Sequence, residues 1–393
     1  MARARFEVEE ALVDPFGELK RARDAGAVVD GQGGAIVTRH EAMRALLTDP
    51  RMRANFTDFL ETFGVSGGPF YEWMARSPLN RDGVDHLRWR ALMSRTFTPR
   101  SVERLRPFLR EAAHELIDGF ADAGHCDFMA AFADVYPSLG LCELIGVPTQ
   151  DRDRFRGWAD TVGLGFSPFV AMHITQVDAA LTQLLEYTGE LAARRRLAPG
   201  DDLVSRLAVA ARDDDWSDLD VQSFIAGLVF AGHETTKNQL GWMIASLSER
   251  PDVWNGVASG TVAVPDVVEE VLRYRSAVTG VGRTATEAVP VGDQQLEAGE
   301  RVFLSSWGAN HDERAYPHPE ELDPVQAGVA PHLAFGHGAH FCLGAALARA
   351  ELQEALAALT ARIGCPTLED GARWRPPIGI NGPEVLPIAF AAR

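Results

Sequence analysis

Cys342 lies in the run Ala334-Phe335-Gly336-His337-Gly338-Ala339-His340-Phe341-Cys342-Leu343-Gly344. A glycine-punctuated turn precedes it. A long helical pattern follows, apolar at Leu343, Leu347, Leu352, Leu356 and Leu359. The start of a helix carries a partial positive charge that favours a thiolate. Gly336, Gly338 and Gly344 open backbone conformations closed to other residues and allow close approach to a bulky group. A lone cysteine is ordinarily an inert, buried, small hydrophobe. This setting points instead to a thiolate able to ligate a metal.

The second unusual stretch is Ala231-Gly232-His233-Glu234-Thr235-Thr236, in the middle of a helical pattern. Ser217 and Asp220 form a capping box at its start, and Pro251 ends it after Arg250. An interior glycine costs about 1 kcal/mol relative to alanine. The Thr235 hydroxyl can bond the Ala231 carbonyl, which loosens the ladder and bends the helix. Glu234 adds a proton-bearing group inside an apolar element. By itself this segment fits close helix packing at Gly232 and an ordinary ion pair at Glu234.

Together, however, the order Phe-x-x-Gly-x-His-x-Cys-x-Gly and the segment Gly232-His233-Glu234-Thr235 resemble the cytochrome P450 family. The resemblance extends from about Asp14 to the C-terminus. It implies that Cys342 is the axial ligand of a haem b iron. It also implies that Thr235 orients dioxygen in a widened groove, with Glu234 in proton delivery and His233 at a variable position. Ala231, Phe335 and Gly344 are expected against the haem. Glu270 and Arg273, three apart on a helix, can pair on one face and resemble the family's structural Glu-x-x-Arg motif. Haem brings two propionates, and His86, Arg90, Arg283 and His340 fall where the family places their ligands. The chain departs from the family pattern at Gln326, His311 and Ala277, where arginine, arginine and proline are frequent. The glutamine leaves the third partner of the Glu270–Arg273 pair open.

The elements that must position these groups are mostly helical. From Arg100 to about Arg250 the chain reads as helix after helix, broken at Pro137, Pro148, Pro168 and Pro199-Gly200. A hairpin is expected around Gly31–Gly34, with short strands near Thr284–Pro290, Arg301–Ser305 and Glu384–Phe390. The expected fold is mainly α with small β-sheets (α+β), the cytochrome P450 fold, as one haem-binding domain over residues 1–393. The net charge of −17 argues against nucleic acid and anionic membrane surfaces. No apolar run is long enough to span a bilayer, and the first residues lack a secretory pattern, so a cytoplasmic enzyme is expected. Four widely spaced cysteines form neither a disulfide framework nor a zinc site.

The function implied is that of a haem-thiolate monooxygenase, inserting one oxygen atom of O2 into a hydrophobic small molecule, natural product or steroid-like. No flavin or ferredoxin module is fused, so electrons must come from a ferredoxin and a ferredoxin reductase. The arginine-rich stretch Arg88–Arg110 and Arg349 supply candidate docking charges, or a solvated face. Substrate walls are expected from the loop between Met52 and Asp85 (Phe63, Phe70, Tyr71, Trp73) and from Phe155–Tyr187. Phe224, Leu228 and Ala231, Val278–Val281, and Ile378–Asn381 complete them. Two other readings stay open: an atypical oxidation (oxidative coupling, nitration or peroxide-driven chemistry), and a non-catalytic haem-thiolate sensor, which has no need of Glu234–Thr235.

Overall fold

A computed structural model describes residues 3–167, 169–213 and 216–393; Pro168, read as a break, lies outside them. The helices that position the site are α1 (Pro15–Ala25), α2 (His40–Thr48), α3 (Gly83–Thr96), α4 (Pro99–Asp118) and α5 (Tyr136–Ile145). They continue as α6 (Arg152–Gly163), α7 (Val170–Leu197), α8 (Asp218–Ser248), α9 (Val264–Tyr274) and α10 (Ala345–Arg362).

α8 is the axis of the molecule. Its 31 residues correspond to about 46 Å at about 1.5 Å per residue. The expected capping box is formed: Asp220 N donates to Ser217 Oγ at 3.1 Å, and Ser217 N to Asp220 Oδ2 at 3.2 Å. The helix is buried nearly all round, at Val221, Ile225, Val229, Leu240, Met243 and Leu247, as expected of a helix through a core. α5, α6, α7, α9 and α10 pack around it, and α4 packs against α10.

One five-stranded sheet lies to the side. Strands β1 (Val29–Gly31), β2 (Gly34–Val37), β3 (Met52–Ala54), β4 (Gly280–Ala285) and β5 (Arg301–Ser305) run in the order β1-β2-β5-β4-β3. The expected hairpin is β1–β2, with Val29 opposite Ile36. β2 and β5 are parallel and the remaining pairs antiparallel. A second apolar cluster (Val28, Val37, Met43, Leu46, Val302, Leu304) joins this sheet to α2. β4 begins four residues before the expected start because Gly280-Val281-Gly282 hides its alternation. At Gly280 a Cβ would sit 2.4 Å from the Leu304 carbonyl oxygen, so only glycine fits the strand contact.

Glu270 and Arg273 are fully buried and bidentate, at 2.7 and 2.8 Å. Their third partner is backbone. Arg273 also donates to the carbonyls of Asn310, Pro319 and Glu321, and Asp323 N donates to Glu270 at 2.9 Å. Gln326 ties the same loop through the His318 and Glu321 carbonyls, so no second arginine is required. Ala277 uses the N–H that a proline would lack: it donates to Gln239 Oε1 at 2.8 Å.

Candidate functional site

The cysteine loop closes on itself, with Cys342 N donating to the Phe335 carbonyl at 2.9 Å. Gly338 has φ 73°, and a Cβ there would meet the Leu47 carbonyl oxygen at 2.8 Å, so the loop can lie on the end of α2 only with glycine. α10 starts at Ala345 with Gly344 as its N-cap, and the N–H groups of Gly344 and Ala345 point at the Cys342 sulfur. In the protein alone they do not win. Burial pushes the Cys342 thiol up, against those two N–H groups and the charges of Arg90 and Arg349. The start of α10 acts in the expected direction, and a bound cation at the sulfur would add to it. Cys342 is nonetheless accessible although protein crowds it on all sides. An accessible residue crowded in this way implies a hollow beside it.

Two residues in the middle of α8 also carry free surface. Ala231 is exposed in the middle of an otherwise buried helix, and Thr235 is half-buried. The Thr235 hydroxyl donates to the Ala231 carbonyl at 2.6 Å, as expected. Glu234 turns the other way. It is 1% exposed, ion-paired with Arg375, bonded by Asn238 Nδ2 at 3.1 Å and 3.9 Å from Lys237 Nζ. His233, at the variable position, is also buried. Its Nε2 lies 3.1 Å from Asp160 on α6, an acid that Lys237 also bonds at 2.9 Å. Sequence reasoning found Glu234 but missed Arg375, which sits 141 residues away in a segment with no motif.

Four cationic candidates gather at one edge of the hollow. The ring centroids of His86 and His340 lie 3.8 Å apart with the planes tilted by 38°, and His340 Nε2 bonds Asp82 Oδ1 at 2.9 Å. Arg90 acts on both His86 and Cys342, and Arg283 acts on Asp82. His86 is less free than expected, since its ring nitrogens face the Pro78 and Ala339 carbonyls at 3.2 and 3.1 Å. Arg283 is the informative one. It is 8% exposed, and its recorded bond is to the Gly282 carbonyl at 2.7 Å. Neither Arg283 nor Arg90 has an ion pair among the described residues. A buried guanidinium without a carboxylate is costly, so this edge fits a group carrying carboxylates of its own, as haem does.

The cytochrome P450 family profile matches residues 263–363, which include Glu270, Arg273 and Cys342. Cytochrome P450 107B1 of Saccharopolyspora erythraea is 35% identical over 92% of this chain and 90% of its own. The mycinamicin IV hydroxylase/epoxidase of Micromonospora griseorubida is 35% identical over 96% of each chain. The chain belongs to the cytochrome P450 family. Among solved structures, a mutant of P450 EryK in complex with erythromycin B superposes with a TM-score of 0.84 at 31% identity, over 98% of both chains. This P450 is therefore an oxygen-incorporating, haem-thiolate enzyme.

Aromatic rings cluster where the segment after α6 meets α8. Phe166 stacks on Phe230 at 3.9 Å and 9°, with Phe56 and Phe70 against Phe166 at 4.8 and 5.7 Å. Phe70 and Trp73 are core, at 0% and 6% exposure, as are Phe166 and Phe230 at 8% and 4%. Phe230 was missed, although it directly precedes Ala231. Val278–Val281 and Ile378–Asn381 do come together, through a Val278–Ile380 bridge and Thr279 N donating to Gly379 O at 3.0 Å.

The arginine-rich face is partly neutralised. Arg106 and Arg110 bond Glu354, and Arg349 bonds Glu269 at 2.6 and 2.8 Å. Arg100 and Arg104 are exposed, without an ion pair among the described residues. Glu269 also meets His332 at 3.2 Å, tying α9 to the approach of the cysteine loop. Burial raises the Glu269 carboxyl, but Arg349 and His332 outweigh it and hold it at about 2 against an ordinary 4.5. A depressed carboxyl stabilises the fold above its ordinary value and loses that contribution as pH falls toward the folded one. Glu269→Gln should therefore flatten the acid limb of the stability profile between about pH 4.5 and about 2. Urea unfolding at stepped pH checks this.

Proposed function

We propose that this P450 is a cytoplasmic natural-product monooxygenase, one haem-binding unit over its whole length, reduced by a separate ferredoxin and ferredoxin reductase. Cys342 is assigned as the iron ligand, with Arg90, Arg283, His340 and His86 around the propionates. Ala231, Phe335 and Gly344 lie against the macrocycle, and Glu270 with Arg273 anchors the loop. The accessible Cys342 facing a hollow edged by the unpaired Arg90 and Arg283 is the observation that carries the assignment. Haem, when bound, supplies dioxygen activation, favoured by electron donation from a thiolate ligand.

The chain's own residues do the rest. The Thr235 hydroxyl donates its hydrogen bond to the Ala231 carbonyl, which leaves its oxygen free to accept one from a bound group. Glu234 is ion-paired with Arg375 and accepts a hydrogen bond from Asn238. It can pass a proton only after taking one up and loosening from Arg375. Thr235→Ala should preserve the carbon-monoxide spectrum and lower product formation about a hundredfold, the scale of positioned proton transfer, with peroxide replacing product. Product and peroxide yields per electron consumed check this.

The substrate class rests on the aromatic pair Phe166–Phe230 beside Ala231 in sequence and the small residues Val278–Val281, together with relatives named for mycinamicin IV and erythromycin B. A spin-shift binding screen of hydrophobic natural products tests it. Absence of any ligand-induced shift across that library would remove the substrate assignment. Among the described residues no helix is long and apolar enough to cross a membrane, which supports the cytoplasmic assignment.

Docking of an acidic donor is assigned to the Arg100–Arg104 end of the basic face, steered by charge. Reversing both to glutamate should slow reduction by ferredoxin about tenfold at low salt and leave dithionite reduction and substrate binding unchanged. Equal ferredoxin rates in stopped flow would move the docking site elsewhere.

A further inference from the structure

None of the steps above uses the tryptophans that meet beside the C-terminal half of α8. Trp242 lies on that helix seven residues after Thr235. Seven residues are nearly two turns, so the two share a face, about 10 Å apart along the axis. From the far end of the chain, the strand Arg373–Trp374 brings Trp374 against Trp242, with ring centroids 4.6 Å apart and planes tilted by 33°. Trp374 is 40% exposed, so the pair reaches from the face of Thr235 to solvent. Both rings are held in place. Trp242 Nε1 donates to the Asn381 carbonyl at 3.1 Å. Arg375, the residue after Trp374, is ion-paired with Glu234 of α8, and its N–H donates to the Gly382 carbonyl at 3.0 Å. A third ring, Trp307, lies 6.1 Å from Trp242 but is 2% exposed and stacks on Phe16. It offers no way out to solvent.

Tryptophan gives up an electron where phenylalanine does not, and rings in contact exchange one readily. Arg275 sets the direction. Its guanidinium lies 5.7 Å from the centre of the Trp242 ring and donates to the Tyr274 carbonyl at 3.4 Å, with no ion pair among the described residues. A fixed positive charge beside a ring opposes the loss of an electron from it. Among the described residues no cation lies over Trp374. An electron vacancy on Trp242 is therefore filled from Trp374, and the oxidised ring is the one at the surface. We propose that Trp242 and Trp374 form an electron path, through which the haem-loaded enzyme acts as a peroxidase toward phenols too large to enter the protein. Hydrogen peroxide at the site takes two electrons and two protons and leaves as two molecules of water. Trp242 supplies each electron and is refilled by Trp374, which takes one from a phenol at the surface. Two phenols thus become two phenoxyl radicals and release the two protons. The proposal rests on haem lying against the Ala231–Thr235 face, as assigned above.

The full-length holoenzyme tests this, with hydrogen peroxide as oxidant and a phenol tethered to dextran as donor. The parent should oxidise the tethered phenol. With a nitroso spin trap in place of the donor, it should carry the trap on Trp374, located by peptide mass mapping. Trp374→Phe and Trp242→Phe keep an aromatic ring in each position. Each should slow oxidation of the tethered phenol several-fold and remove the adduct from position 374, and the double variant should be no slower, because both break one path. Free phenol, small enough to enter, should be oxidised at a rate near that of the parent. If Trp242→Phe does not fold, Trp374→Phe, at the surface, decides the matter. No oxidation of the tethered phenol by the parent, a trap bound elsewhere than Trp374, unchanged rates in the variants, or equal slowing of free phenol would each overturn the proposal. The carbon-monoxide spectrum separates this from the haem assignment. A parent without a thiolate-type band loses that assignment, whereas a parent with the band and no adduct on Trp374 loses the electron path alone.

Discussion

Cys342→Ser should give a protein that still takes up haem but has lost the thiolate-type carbon-monoxide band, with turnover at background. The sulfur is irreplaceable for two reasons. Burial already opposes its ionisation, and only the Gly344 and Ala345 N–H groups, with Arg90 and Arg349, push the other way. A serine hydroxyl starts far less acidic, so the same surroundings leave it neutral and a weak ligand. The electron donation that favours O–O cleavage disappears with the thiolate. Haem retention is expected because Arg90, Arg283 and His340 do not depend on the sulfur. Absorption spectra of the reduced, carbon-monoxide-bound form decide the point. An unaltered thiolate band in Cys342→Ser would remove Cys342 as the ligand.

Arg273→Met should destabilise the fold by about 3–5 kcal/mol, the usual cost of removing one partner of a buried ion pair. Glu270 would remain at 0% exposure without its cation, and the carbonyls of Asn310, Pro319 and Glu321 would lose their donor. Those carbonyls belong to the stretch that leads to the cysteine loop, so haem loss should accompany the lower unfolding midpoint. The double variant Glu270→Leu/Arg273→Met should recover much of the stability, because no uncompensated charge stays buried. Denaturant titrations followed by fluorescence and by haem absorbance test both statements. A single variant as stable as the parent would show that the pair holds nothing.

Much of the site was legible in the order of residues because its groups are local. The cysteine loop needs glycine at Gly338, and the bend in α8 needs Thr235 four residues after Ala231; both conditions are met within one turn of chain. The Ser217–Asp220 cap and the Glu270–Arg273 pair are equally local. Partners far apart in sequence were not legible. Arg375 on Glu234 and Glu269 on Arg349 have no spacing rule to reveal them, and the neutralisation of Arg106 and Arg110 by Glu354 narrows a basic face that composition overstated. Phe70 and Trp73 read as walls because aromaticity does not say which way a ring points. Phe166 and Phe230 stack because the segment after α6 lies against α8.

By itself the sequence determined the family, the helix-rich class, the thiolate loop and the acid–alcohol turn, since each is set by short-range backbone geometry and by residues that admit few substitutes. Only the tertiary structure decided the charge state of those groups. Whether a thiol, a carboxyl or a guanidinium ionises depends on burial and on neighbours brought together from distant segments. That is why burial opposes the ionisation of Cys342 and of Glu351, whereas Glu234 is bound to an arginine.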